Sequence, residues 1–451
     1  MQRLKRFAAM TSQRLSKHQR LMIAFLFLIM MIVGKHDVTS SAPNNRAMHM
    51  SSDQLAHSVE TGSTTRQIAF VALLIGGVLV MAGARGDGPH SSALRNNLPL
   101  TCFVSLAFVS VLWSGDPGLT FRRSSEYLIL CIGAAAAGRI LGLRGVVWLG
   151  FLGSTGYLLM GFVAEVVLGT FRPLSVDYRF YGTLYPNEQA WNCILLLITG
   201  SALLTQIRGF WRIPYFMAMT VGGVCLFLTK SRTSLVCGAL ALTFYWAGRT
   251  SVKQKLALVL AGTLLVGVLF AATLVDSGIG PRSDRLLLAG RDADTYENFS
   301  GRIPLWKLCM EYVRARPLAG YGFDSFWTPD HIRTVSAQEG WAVPAAHNGF
   351  IDLMLGVGVI GLVFYLFQLA GTWRLLRHSY ATSRDPLIRC YLALLLFYFA
   401  CMFTEAIAFD VGLLTFCVLS LFWSRKLWFR SQFAPIPSTT VVPALLPVQP
   451  Y

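Results

Sequence analysis

One histidine stands where a short polar segment meets a long apolar run. In "AVPAAHNGF", His347 follows a Pro-Ala-Ala sequence, and from Gly349 onward the chain is apolar for about twenty residues. An imidazole titrates near neutral pH, so it can take or give a proton as a general base or acid. No His, Asp or Glu stands beside it at a spacing that metal ligands use. His347 is therefore either a general base or a helix-start residue that only hydrogen-bonds to the backbone.

Two cations occupy a turn of only a few residues between two apolar runs. In "FLTKSRTSLV" these are Lys230 and Arg232. A cation close to the apolar phase is costly unless it has a partner, and a guanidinium forms a planar fork that matches two phosphate oxygens. The turn therefore predicts an anion contact through Arg232, with Lys230 beside it.

A pair of arginines precedes another apolar run, in "LWSGDPGLTFRRSSEY". Arg122 and Arg123 are either interfacial anchors, because Arg side chains extend readily toward the membrane surface, or further anion contacts.

The segment "VDYRFYGTLYPNEQAWN" combines aromatic, amide and basic side chains. Pro186 and the residues after it are typical of a helix start. Tyr178, Tyr181 and Tyr185, together with Arg179, would also suit a sugar, which packs against aromatic rings and hydrogen-bonds to polar groups. Both interpretations stay open at this point.

Apolar helices must position these residues. The 451-residue chain is 54% hydrophobic and 14% charged, with a mean hydropathy of +0.53, whereas soluble proteins carry about 25% charged residues. Many apolar runs approach the ~20 residues that cross a bilayer as a helix. The sequence therefore predicts an all-α, polytopic membrane protein. Its net charge of +17 lies in short loops between apolar runs, where it sets topology and meets anionic lipid rather than nucleic acid.

The apolar runs give twelve predicted spans. They lie near residues 21–34, 67–84, 98–113, 126–141, 146–168, 188–205, 213–229, 233–247, 256–275, 349–371, 387–404 and 407–424. With the N-terminus inside, the inner segments hold 22 Lys and Arg and the short outer loops hold 9. Because inner loops carry the excess of Lys and Arg, we expect both termini inside and the long loop 276–347 outside.

The chain then divides into five parts. They are a basic N-terminus with the first span and an outer loop (1–66), spans two to nine (67–275), the large outer loop (276–347), spans ten to twelve (348–424) and a Pro-rich inner tail (425–451). Within the large loop, "SGRIPLWKLCMEYVRARP" predicts an amphipathic helix that lies along the membrane surface. The nine cysteines lie mainly in apolar runs and show neither a disulfide framework nor a zinc spacing.

Three stretches carry a resemblance to a known family. They are "SRTSLV", "GRIPLWKLCMEYVRARPLAGYGFDSF" and "HNGFIDLMLGVGVIGLVFYL", placed around a large outer loop between spans nine and ten. In this plan the chain resembles the O-antigen ligase and Wzy-type polymerase superfamily, including exopolysaccharide polymerases of rhizobial type. The resemblance covers roughly residues 100–425.

The resemblance implies a GT-C-like glycosyltransferase that needs no metal or other cofactor. Its donor would be an undecaprenyl-diphosphate-linked oligosaccharide, used at the periplasmic face of a bacterial inner membrane. The implied catalytic residues are His347 and Arg232. The implied diphosphate-binding residues are Arg232, Arg302, Arg123, Arg122 and Lys230, and the implied substrate-binding residues are Asn187, Arg179, Tyr185 and Asn348.

The implied reaction transfers a glycan with inversion at the anomeric carbon. The acceptor would be a growing polysaccharide or the lipid A core, so a polymerase of exopolysaccharide repeat units and an O-antigen ligase both stay open. Membrane lipids, a chain-length regulator and export proteins are the other expected partners. A transporter or flippase is the alternative class, but the sequence shows no internal repeat, and its acidic residues lie near span ends rather than at the midplane.

Overall fold

The computed structural model describes residues 15–34, 36, 51–83, 97–175, 178–248 and 302–422. In this part of the chain all regular structure is helical, as the sequence predicts. We number its helices α1 (Lys17–Val33), α2 (Ser52–Thr61), α3 (Thr64–Ala82), α4 (Leu98–Val109), α5 (Pro117–Val167), α6 (Pro186–Leu204), α7 (Ile213–Leu228), α8 (Arg232–Ala247), α9 (Arg302–Ala315), α10 (Pro329–Glu339), α11 (Gly349–Ser383), α12 (Pro386–Cys401) and α13 (Leu413–Phe422).

Several of these helices suit a bilayer. Helices α3, α5 and α11, and the stretch Gly209–Leu228 that contains α7, are long and apolar enough to cross a membrane. Helices α12 and α13 and the stretch Leu98–Leu112 are shorter and also apolar. The protein is therefore a membrane protein. The count of twelve spans stays a prediction, and the ninth predicted span, 256–275, lies outside the described residues, as do residues 276–301 and the tail 425–451.

Prolines and capping side chains begin the helices. Pro186 is the first residue of α6, which confirms the helix start that the sequence indicates. Asp116 accepts a hydrogen bond from the backbone N–H of Leu119 at the start of α5. Such caps satisfy backbone donors that have no partner inside the helix. They also set where each apolar run enters the bundle.

Helix α5 is broken at Gly142, where φ is +59° and ψ is −171°. An unbroken helix of its 51 residues would extend about 76 Å at about 1.5 Å per residue. That length is more than twice the ~30 Å hydrocarbon core of a bilayer. The break falls between the predicted spans 126–141 and 146–168, beside the start of α1, where Gln19 donates to the carbonyl oxygen of Ile140 at 3.1 Å.

Contacts with α1 and α3 show that the two halves of α5 run in opposite directions. The Tyr157 hydroxyl of the second half donates to the carbonyl of Met30, near the end of α1. In the first half, Glu126 pairs with Arg66 at 3.8 Å, and Arg66 also donates to the last carbonyl of α1, that of Val33, at 3.0 Å. Both halves therefore extend from the Gly142 break toward the same end of the bundle.

A second apolar core covers one end of the bundle. It is built from α2, α9, α10, the loops that follow α9 and α10, and the first turns of α11. Its buried members include Leu55, Ala56, Leu305, Cys309, Val313, Phe326, Ile332, Val335 and Ile351. We call this unit the cap, and the adjoining end of the bundle the cap end. The predicted amphipathic helix is confirmed as α9, whose buried side chains are Leu305, Cys309 and Val313. That stripe packs on protein rather than on a membrane surface, because it lies in one buried cluster with side chains of α2, α10 and α11.

The cap is fastened to α11 through the backbone. The N–H of Tyr321 donates to the carbonyl oxygen of Leu355 at 2.8 Å. Helix α11 is interrupted at Gly358, where φ is +68°. A Cβ at this position would lie 2.0 Å from the carbonyl oxygen of Leu318. Only glycine therefore allows the cap to approach α11 this closely.

Candidate functional site

A buried carboxylate lies at the centre of the cap end. Glu405 follows α12 in a short turn, and its side chain is 4% exposed. Asn187, in the first turn of α6, donates to both carboxylate oxygens at 3.1 and 3.0 Å. Arg302, the first residue of α9, donates through Nη2 to Oε1 at 3.1 Å and through Nη1 to the carbonyl oxygen of Thr404 at 2.5 Å. Three elements far apart in sequence thus meet at one acid.

His347 faces the same carboxylate. Its Nδ1 lies 3.9 Å from Oε2 of Glu405, and its ring stacks on Trp341 with the centroids 5.9 Å apart. The backbone of His347 adopts a φ of +49°, which is uncommon for a residue with a side chain. We call Glu405, Asn187, Arg302, His347 and Arg179, which is described below, the Glu405 cluster.

The side chain of Asn348 bonds to backbone groups near His347. Its side-chain oxygen accepts from the N–H groups of Phe350 and Ile351 and thereby caps α11. Its side-chain nitrogen donates to the carbonyl oxygen of Phe403 at 3.0 Å. The predicted substrate contact of Asn348 stays a prediction. The contacts observed give this side chain a structural role, which is to hold the His347 turn beside the Glu405 turn.

Arg179 extends the cluster toward the turn between α7 and α8. It donates to the carbonyl oxygen of Thr229 at 2.6 Å and to Oδ1 of Asn187 at 3.4 Å. Burial lowers the pKa of Arg179, and the positive charge of the nearby Arg232 lowers it further. Ser231 donates to the same Asn187 oxygen at 3.0 Å. The predicted residues Arg179, Asn187 and Arg232 are therefore neighbours.

The same turn holds Lys230 in a strained backbone conformation, with φ of +52°. Its N–H closes the turn on the carbonyl oxygen of Phe227 at 3.1 Å. Arg232 begins α8 directly after this turn. Tyr185, the remaining predicted sugar contact, is the residue before α6, and its side chain is substantially exposed.

A second buried acid positions Arg179. Glu165, near the end of α5, accepts from the N–H groups of Tyr181 and Gly182 at 2.9 and 2.8 Å. The hydroxyl of Tyr178 donates to its other oxygen. These three bonds flank Arg179 on both sides and hold its loop against the turn before α8. Neither Glu165 nor Glu405 was among the sequence-predicted site residues.

Three arginines lie in or beside the Glu405 cluster. Arg302 bonds to the Glu405 carboxylate, Arg179 bonds to Asn187, and Arg232 lies near Arg179. Burial by itself would raise the pKa of Glu405, but the adjoining His347 and Arg302 outweigh it and hold that pKa below its ordinary value. Glu405 is therefore ionised at neutral pH. Guanidinium groups bind anions through charge-assisted hydrogen bonds, so the arginines of the site suit an anionic ligand.

Arg122 and Arg123 have other partners. Arg122 donates to the carbonyl oxygen of Val59 in α2 at 2.7 Å. Arg123 donates to the carbonyl of Asp324 and lies 3.4 Å from that residue's carboxylate. No described contact joins either arginine to the Glu405 cluster. Their predicted role in binding diphosphate stays a prediction, while their contacts fasten the start of α5 to the cap.

Among the described residues, no group of three or more His, Cys, Asp or Glu side chains is arranged to hold a metal ion.

Fold and site together define an all-helical membrane protein with a cationic, imidazole-bearing cluster at one end of its bundle. A family model described as O-antigen ligase matches residues 216–366, which include Arg232, Arg302 and His347. The chain is also 24% identical over 300 residues to the exopolysaccharide production protein ExoQ of Rhizobium meliloti (strain 1021). That match covers 63% of this chain and 66% of ExoQ, just under two thirds of the relative's length. The resemblance to the O-antigen ligase and Wzy-type polymerase superfamily is thereby confirmed.

Proposed function

We propose that the protein is a glycosyltransferase of the inner membrane, with twelve spans, a GT-C-like plan and its cap end at the periplasmic face. It would move a glycan from an undecaprenyl-diphosphate donor onto an acceptor sugar. The observation that carries this proposal is the convergence of Asn187, Arg302 and His347 on the buried Glu405. A cationic site that also bears an imidazole can neutralise a leaving group and move a proton.

The arginines would act on the leaving group. As the bond between the anomeric carbon and the phosphate oxygen breaks, its electron pair goes to the diphosphate. Arg302 and Arg232 would stabilise that negative charge, a role that a metal ion takes in other enzymes. Arg179, which lies near Arg232, would add a third positive charge.

His347 would act on the acceptor. Its Nδ1 faces Glu405, which favours the tautomer with hydrogen on Nδ1 and leaves Nε2 to accept the proton of the attacking hydroxyl. The acceptor oxygen then attacks the anomeric carbon from the face opposite the diphosphate, which inverts that carbon. The resulting imidazolium is stabilised by the Glu405 carboxylate. In this scheme His347 is the general base and Glu405 is a positioning residue.

Two acceptors are supported by different observations. The relative's name, exopolysaccharide production protein, favours a polymerase that joins repeat units onto a growing polysaccharide. The family description, O-antigen ligase, favours transfer to the lipid A core instead. We propose the polymerase first. A deletion strain that lacks the polymer would indicate a polymerase, and one that lacks only polymer-bearing lipopolysaccharide would indicate a ligase.

The activity can be tested with purified, full-length protein and lipid-linked repeat units isolated from the cells that make it. We expect release of undecaprenyl diphosphate together with longer glycan chains. Arg302→Ala should abolish both, whereas Arg172→Ala, which removes an exposed arginine from the loop that carries Arg179, should not. Movement of the lipid-linked glycan across vesicle membranes without any transfer would contradict the proposal and favour a flippase.

A further inference from the structure

A pocket with both apolar and polar lining lies beside the Glu405 cluster. It is a partly open cleft of about 410 Å³, including its mouth, between the end of α1, the first turns of α6 and the start of α13. Its polar and aromatic lining consists of Tyr157, Glu188, Trp191, Asn192 and Asp410. No member of the Glu405 cluster lines it, so the proposed mechanism leaves this pocket unused.

Two buried polar atoms of the pocket lining have no hydrogen-bond partner among the described residues. Trp191 is 6% exposed and Asn192 is 8% exposed. The two atoms are Trp191 Nε1 and Asn192 Oδ1. The Asn192 amide nitrogen is already used, because it donates to the carbonyl oxygen of Glu188 at 2.9 Å. Buried polar groups in native proteins are almost always satisfied, so the two atoms point to a bound group that both accepts and donates.

The other residues that line the pocket indicate which kind of ligand it binds. Glu188 and Asp410 bring two carboxylates, and one oxygen of Asp410 accepts from the N–H of Gly412 at 3.0 Å. Carboxylates accept hydrogen bonds from hydroxyl groups and disfavour an anionic ligand. The rings of Tyr157 and Trp191 supply apolar surface against which a sugar ring can pack. A hydroxyl group can both donate and accept a hydrogen bond, so it can satisfy both Trp191 Nε1 and Asn192 Oδ1.

From these groups we infer that the pocket binds a neutral, hydroxyl-rich sugar unit of the acceptor glycan. This inference rests on the proposed function. The first turn of α6 joins the two sites: Asn187 bonds to Glu405, and the next residue, Glu188, lines the pocket. One helical turn rises about 5.4 Å, so a sugar held by Glu188 and Trp191 lies close to the cluster. The next unit of the same chain would then present its hydroxyl toward His347.

Binding can be measured separately from transfer. The probe is the glycan released by mild acid from the cells' own lipid-linked intermediates, titrated into the full-length protein and followed by saturation-transfer NMR. Trp191→Phe removes the N–H and keeps an aromatic ring, and Asn192→Leu removes the amide at similar volume. Each should raise Kd about threefold to tenfold, the size of one lost hydrogen bond. Trp211→Phe, at an exposed position at the opposite end of the bundle, should leave Kd unchanged.

Two further probes identify the ligand class. Calcium ions and an oligouronate should fail to compete with the neutral glycan. Competition by either one, absence of glycan binding, or unchanged Kd in both pocket variants would overturn the inference. If the pocket variants shift Kd as expected while the wild-type protein transfers no glycan, the proposed function fails and the sugar site stands.

Discussion

Glu405 offers a quantitative test of how the cluster is held together. Hydrogen bonds to a charged group contribute about 1.5–3 kcal/mol, roughly twice those between neutral groups. Glu405→Gln keeps the shape but removes the charge that orients Arg302 and His347, so we expect a loss of about 1.4 kcal/mol, or tenfold in transfer rate. Glu405→Ala leaves a mostly buried arginine without its partner, which costs about 3–5 kcal/mol and should also lower the thermal unfolding temperature in detergent.

A double-mutant cycle makes this prediction specific. Transfer rates of Glu405→Gln, Arg302→Gln and the double variant should give a coupling energy of about 1 kcal/mol or more, because the two side chains are in direct contact. Glu60→Gln, at an exposed position in α2, is the matched control and should leave the rate unchanged. A wild-type rate in Glu405→Gln, or additive effects of the two substitutions, would refute the positioning role.

Three further predictions concern charge, metal and topology. Arg232→Ala should abolish polymer formation. Arg232→Lys should restore only part of it, because an ammonium cannot bind two phosphate oxygens in one plane. Full activity of the alanine variant would contradict the role of Arg232. Excess chelator should leave transfer by the purified protein unchanged, and loss that a divalent ion restores would mean that the arginines do not act alone. Reporter fusions at Ala289 and Ser379 should report outside and inside respectively. The opposite result would place the site at the cytoplasmic face and contradict the proposed function.

The convergence of basic and polar motifs could be predicted from the sequence, because each motif lies at the end of an apolar run. Alternating spans bring every second loop to the same face, so we expect Arg179, Asn187, Arg232 and His347 to lie close together. In the structure Asn187 and His347 both face Glu405, and Arg179 contacts Asn187 and lies near Arg232. The acid between them could not be predicted. Glu405 is one carboxylate in the short stretch "TEAIAFD", and nothing in that stretch indicates that it is almost fully buried against three other segments.

Two other features depended on contacts far apart in sequence. The paired arginines of "FRRSSEY" suit either anion contacts or anchors, and the sequence does not indicate their bonds to Val59 and Asp324. The stripe of α9 shows the same difficulty, since an apolar helix face suits either lipid or protein. The stripe belongs to a buried core that also includes α2, from the loop 35–66, in which the sequence shows no motif.

The most direct test of the central claim is the transfer activity of His347→Ala beside that of His57→Ala. Both residues lie at the cap end, but His57 is 73% exposed and outside the cluster. Because a positioned general base contributes about 10²–10⁴ in rate, His347→Ala should lose at least a hundredfold at normal expression and unfolding temperature. His57→Ala should match the wild type. Near-normal transfer by His347→Ala, at normal expression, would contradict the site proposed here.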